Sequence, residues 1–162
     1  MAIVYEKQGQ GEHVFTLHTE HSTYQMKVDG HGYLLHLYYG GKVSGCMDYL
    51  LTYYDRGFSG NPAAAGLDRT YSLDTLPQEY PALGTGDFRS SALAVCNGDG
   101  SQCCDLKYAG HEVRKGKYGL KGLPAVYAEQ GEAETLEIRL RDLVSGVEVA
   151  LLYGVLEGED II

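Results

Sequence analysis

The chain has no tryptophan, only four prolines and only 13 Lys and Arg among its 162 residues. Each shortage excludes something. Proline removes a ladder donor, so its rarity leaves most of the chain free to build strands. Scarce and scattered basic residues, with a net charge of -9, argue against a surface that tracks nucleic-acid phosphates. Apolar runs long enough to span a membrane are lacking, and Met-Ala-Ile-Val-Tyr-Glu-Lys at the start carries no apolar signal core. The expectation is a cytoplasmic protein that uses neither membrane nor nucleic acid. Four cysteines (Cys46, Cys96, Cys103 and Cys104) allow three pairings on paper, but in that compartment they are expected to stay reduced. No second pair at metal spacing accompanies Cys103–Cys104, so neither a metal nor another cofactor is expected.

What is abundant is tyrosine, with 14, and glycine, with 22. Tyrosine suits pleated, half-buried surfaces and glycine suits tight turns. The composition therefore predicts one all-β domain, an antiparallel β-sandwich, long enough to bury roughly 70% of its unfolded surface. Period-two alternation supports strands at Val14–His18, Ser22–Val28, Thr135–Arg141 and Val147–Tyr153. The last two read as a half-solvated pair with Glu137, Arg139 and Arg141 in water. Tyr33–Tyr39 is apolar on both faces and reads as a central strand. Asp29-Gly30 and Asn97-Gly98-Asp99-Gly100 are turn signals, the second predicting a hairpin of Ala92–Cys96 with Cys103–Tyr108. Shorter strands are expected at His111–Arg114 and Ala125–Ala128, giving about nine. Asp48–Tyr54 fits a strand or a helical turn.

Between the early and later strands lies a long irregular stretch, Asp55 to Ala92, holding three of the four prolines and Phe58, Tyr71, Tyr80 and Phe88. Disordered segments are poor in aromatics, so this reads as an ordered functional loop. Its acids, Asp48 and Asp55 through Asp87, do not define a catalytic pair, because glycosidase carboxylates must face each other about 5 to 9 Å apart and sequence spacing in a loop cannot set that distance. Asp55-Arg56 and Asp68-Arg69 beside aromatics could bind hydroxyls, with carboxylates accepting and guanidinium donating, or could be salt bridges that hold the loop. Gly84-Thr85-Gly86 precedes no helix and is not a dinucleotide loop. His18, His36 and His111 are the only donors for a paired-histidine sugar enzyme, and their spacing does not bring them together.

Asp-Arg-Gly-Phe-Ser-Gly-Asn-Pro (55–62), Arg-Thr-Tyr-Ser-Leu-Asp-Thr-Leu-Pro-Gln-Glu-Tyr-Pro (69–81) and Gly-Thr-Gly-Asp-Phe-Arg (84–89) closely resemble the N-terminal region of glycoside hydrolase family 36 α-galactosidases. The likeness extends to Leu-Tyr-Tyr-Gly at 37–40 and Leu-Pro-Ala-Val-Tyr at 123–127. It implies that residues 1–162 are an incomplete N-terminal β-supersandwich region, with the catalytic (β/α)8 barrel and both catalytic aspartates outside this chain. It also implies a retaining enzyme for terminal α-galactosides of the melibiose and raffinose type, which works as a homo-oligomer. In such enzymes a loop of this domain helps close the galactose pocket of a neighbouring subunit, and the matching positions are Asp55 and, after it, Arg69. A stand-alone carbohydrate-binding module is the alternative reading. Uncovered strand edges imply self-association.

Overall fold

A computed structural model describes residues 2–55, 57 and 60–162. Among these described residues, seven strands form two antiparallel sheets. The first is β1 (Ile3–Lys7), β2 (His13–His18), β3 (Ser22–Val28) and β4 (Leu34–Gly41), ordered β1-β2-β3-β4. The second is β5 (Lys107–Lys115), β6 (Ala133–Arg141) and β7 (Glu148–Leu156), ordered β5-β6-β7. Two single 3-10 turns, Asp48–Leu50 and Ala63–Ala65, are the helical elements among the described residues. The architecture is all-β, as the composition predicts, and no described helix is long and apolar enough to cross a membrane.

Alternation decides which face each strand buries. On β2 and β3, Phe15 lies opposite Met26 and Leu17 opposite Tyr24. Phe15, Leu17, Met26 and Val28 meet Leu136, Ile138 and Leu140 of β6 and Val155 of β7 in one apolar cluster between the sheets. Fully burying each large side chain is worth about 2 kcal/mol. Arg139 and Arg141 alternate with these residues and face water, as the period-two pattern predicts.

The outer face of β4 has a different cover. Tyr33 and Leu35 form a second cluster with Tyr71, Leu73 and Leu76 of the long loop. This corrects the reading of Tyr33–Tyr39 as a central strand: β4 is an edge strand. It is apolar on both faces because one face meets the other sheet and the second meets the loop. The loop also covers part of its edge, with His36 N donating to Pro77 O at 2.7 Å and Glu79 N to Leu34 O at 3.0 Å.

Other expectations need similar correction. Asn97–Ser101 does turn, with Asn97 N bonded to Ser101 O at 2.8 Å, but its arms do not pair as a hairpin. Residues 81–83 take their bonds instead: Ala92 N donates to Pro81 O and Cys104 N to Leu83 O, each at 2.8 Å. Ala125–Ala128 is irregular, and Tyr127 is exposed. His111–Arg114 is part of β5, which carries a bulge between Tyr108 and Gly110. β1 went unread, because only Ile3 among its five residues is buried. Asp48–Tyr54 resolves as one 3-10 turn followed by irregular chain.

Two polar clusters join the sheets. Glu79, arriving from the loop, accepts hydrogen bonds from Tyr24 of β3 at 2.5 Å and Tyr153 of β7 at 2.8 Å. His36 Nδ1 lies 3.4 Å from its other oxygen. Burial alone would raise the Glu79 pKa, but the donors from His36, Tyr24 and Tyr153 outweigh it and hold the carboxyl below its usual range. At the opposite side, Tyr5 and His13 meet Tyr108 and His111. Tyr5 Oη bonds His13 Nδ1 at 2.8 Å, Tyr108 Oη bonds His111 Nδ1 at 2.6 Å, and the two imidazole centroids lie 6.2 Å apart.

Replacing Glu79 by Ala leaves two half-buried phenols without their acceptor, so urea unfolding is expected to show a loss of about 2–3 kcal/mol. Partial burial lowers the pKa of both His13 and His111, with Lys7 adding to the first and with His13 and Arg139 adding to the second. A depressed histidine contributes stability that is complete above its unfolded value of 6.5 and is lost as pH falls towards the folded value. Thermal unfolding followed by calorimetry should therefore show a melting temperature that declines below pH 6.5, and His13→Gln should flatten that decline.

Candidate functional site

The second half of the long loop is held by an ion pair to a buried carboxylate. Asp87 is buried, and its two oxygens accept from Arg89 Nε at 2.9 Å and Nη2 at 2.7 Å. Gln78 Nε2 adds a bond of 2.8 Å. Burial pushes the Asp87 pKa up, but the Arg89 and Gln78 donors prevail and hold it low. Arg89 also reaches the carbonyls of Leu73 and Leu76 at 2.8 and 2.7 Å. Gly-Asp-Phe-Arg at 86–89 is thus a clamp that closes 73–78 onto 87–89. The glycines beside it are there for space: at Gly84 (φ +105°) a Cβ would sit 2.7 Å from Cys103 Cβ, and at Gly86 (φ +90°) 2.6 Å from Gly60 O.

A second anchor ties the loop to the β3–β4 turn. Asp29 Oδ1 accepts from the amides of His31 and Tyr33, each at 2.9 Å, as the Asp-Gly turn requires. Its other oxygen accepts the Tyr71 hydroxyl. The loop is therefore fixed against the turn at Tyr71, close in sequence to Arg69.

There the structure brings together the two residues singled out from the sequence. Asp55 and Arg69 form an ion pair, Oδ1 to Nη2 at 3.1 Å, with both side chains more than half exposed (53% and 63%). Asp55 Oδ1 also accepts Gly57 N at 2.7 Å, and Arg69 donates to Gly57 O at 3.3 Å. Asp68 does not join the pair; it accepts from Thr70 N and Oγ1 at 2.9 and 2.7 Å, which lowers its pKa. Arg56 and Phe58, the other partners expected here, lie outside the described residues, as does Ser59. An exposed pair of this kind contributes about 0.5 kcal/mol to stability, so holding the fold is a small part of what it can do. A carboxylate beside a guanidinium offers acceptors and donors side by side, the pattern that adjacent sugar hydroxyls match.

The histidines do not form a site. His18 bonds Thr23, His36 faces Glu79 and His111 joins the Tyr108 cluster. Sequence reasoning missed a polar cleft of about 290 Å3 beside the loop, to which Lys27, His31, Tyr53 and Tyr71 contribute. The tyrosine-rich 49–54 segment and the Asp-Gly turn were its only traces in the sequence.

The fold and loop define a class: a two-sheet, all-β domain that presents a polar pair on a clamped loop. Residues 32–162 match the glycosyl hydrolase family 36 N-terminal domain. The bifunctional alpha-galactosidase/sucrose kinase AgaSK of Mediterraneibacter gnavus is 62% identical over 162 residues, which is 100% of this chain and 17% of that protein. Alpha-galactosidase AgaA of Geobacillus stearothermophilus is 43% identical over 164 residues, again 100% of this chain and 22% of the relative. The solved galactosidase domain of AgaSK superimposes with a TM-score of 0.92 over 97% of this chain and 21% of its own. A variant of AgaA solved in complex with raffinose is 46% identical, with a TM-score of 0.83 over 89% of this chain and 20% of its own. The chain belongs to the family 36 N-terminal domain family. It spans about a fifth of the length of the relatives it matches.

The clamp predicts a stability cost that the exposed pair does not. Arg89→Ala strips Asp87 of its main partner and should lower unfolding free energy by about 2 kcal/mol, read from urea midpoints.

Proposed function

We propose that the chain is the non-catalytic N-terminal β-domain of an oligomeric, cytoplasmic α-galactosidase acting on terminal α-galactosides of the melibiose and raffinose type. In this reading Asp55 and Arg69 bind sugar hydroxyls as a wall lent to a neighbouring subunit's galactose pocket. The observation that carries it is the exposed Asp55–Arg69 pair, which is held at 3.1 Å by a clamped loop in a domain of this family. A pair that adds little to stability yet is positioned this closely suits a ligand better than a scaffold. Named relatives that are α-galactosidases, one of them solved with raffinose, favour the substrate class. The oligomer is favoured by β7, an edge strand whose outer side meets Ile161 at Leu156 and which has one charged residue and no proline.

The 162 residues alone are expected to show no hydrolysis of an aryl α-galactoside; turnover surviving rigorous purification would overturn the non-catalytic role. In the assembled enzyme carrying this domain, Asp55→Ala should raise KM for raffinose about tenfold, the loss of one charged hydrogen bond. Its melting temperature should stay within experimental error of the parent's. Unchanged kinetics with that variant would remove the pair from the sugar pocket. Tight galactose binding by the isolated chain in calorimetry would favour a self-sufficient binding module.

A further inference from the structure

Next to the Asp55–Arg69 pair, the cleft between the β3–β4 turn, Tyr53 and residues 68–71 has the features of a ligand site. Tyr53 and Tyr71 present rings inclined by 25° with centroids 6.4 Å apart, and His31 meets Tyr71 edge-on at 4.5 Å. Asp68, Thr70 and Lys27 supply polar groups to the same space of about 290 Å3. That volume lies at the small end of ligand pockets. The frame is held by Asp29, which accepts from two amides and the Tyr71 hydroxyl.

The chemistry selects among ligand classes. An anion is disfavoured: Glu12, Asp29 and Asp68 outnumber Lys27, whose ammonium is already shared by Glu12 at 3.5 Å and Asp48 at 3.4 Å. A metal ion is disfavoured because both Asp29 oxygens already accept hydrogen bonds, Glu12 is engaged by Lys27, and no three suitable ligands converge among the described residues. Partial burial and the carboxylates of Asp29, Glu12 and Asp48 raise the Tyr53 pKa and keep its phenol a donor. Asp68 remains an acceptor, and the imidazole of His31 lines the same space. What fits aromatic faces together with a phenol donor, a carboxylate acceptor and a hydroxyl is a neutral polyol.

We propose that this cleft is a second saccharide site, which takes one neutral sugar ring between His31, Tyr53 and Asp68. Because Asp68 is followed by Arg69, the loop that carries the Asp55–Arg69 pair also walls the cleft. The choice of an oligosaccharide as ligand rests on the galactoside reading above; the cleft would hold a ring other than the terminal galactose.

The test is an amide NMR titration of the 162-residue chain with sucrose, methyl α-galactoside and inorganic phosphate. Saturable shifts at His31, Asp68, Thr70 and Tyr71 with sucrose, and none with phosphate, are expected. Tyr53→Ala and His31→Gln should each weaken the apparent Kd about fivefold, the scale of one hydrogen bond or ring contact. His31→Gln replaces a partly exposed ring, so it reports even if the tyrosine variant loses spectral dispersion. Absence of cleft shifts, equal shifts with phosphate, or affinity unchanged in His31→Gln would overturn the site. Shifts confined to Asp55, Gly57 and Arg69 would overturn the cleft while upholding the pair. Cleft shifts without any at the pair would uphold the cleft, since the proposed pocket of the pair is completed by a neighbouring subunit.

Discussion

Glu79 is the group on which the rest of the arrangement depends. One carboxylate from an irregular segment accepts phenol donors from β3 and β7, strands of different sheets. Apolar contacts hold the sheets together, but they are non-directional and would tolerate sliding. A charged acceptor with two fixed donors and an imidazole beside it does not. Because Glu79 N also bonds Leu34 O, the same residue sets how the loop meets β4. The position of the loop and the stacking of the sheets are thus set at one point.

From that point outward the loop is stiff by construction. The Asp87–Arg89 clamp closes its second half, Tyr71 on Asp29 locks its middle, and Leu73 and Leu76 bury themselves against β4. Beyond these anchors lie Asp55 and Arg69, whose side chains are more than half exposed. A site built this way loses little conformational freedom when a ligand arrives. It also explains why the acids of the loop, numerous in sequence, have separate duties. Asp87 and Glu79 are structural, Asp68 caps a turn, and Asp55 faces water.

Much of the fold was legible because alternation is a local property. Ser22–Val28 and Thr135–Arg141 buried the faces their patterns indicated, and the Asp29 turn formed through its own side chain. Misreadings came where a segment's partner was distant. Ala92–Cys96 carries a good hairpin turn after it, yet Pro81 and Leu83 carbonyls lie between its arms. β4 looked central because hydrophobicity on two faces does not say whether a sheet or a loop covers the second. β1 offered one buried side chain and hence almost no pattern.

The sequence by itself determined the β class, the inward residues of the main strands and the family resemblance carried by the motifs of the 55–92 stretch. Those depend on neighbours a few positions apart. Only the tertiary structure decided that Asp55 pairs with Arg69 while Asp68 stands aside, that His13 meets His111 across the sheets, and that Tyr53 and His31 share a cleft. Each of these joins residues whose separation in space is set by loop closure and sheet stacking, quantities that no local pattern of residues encodes.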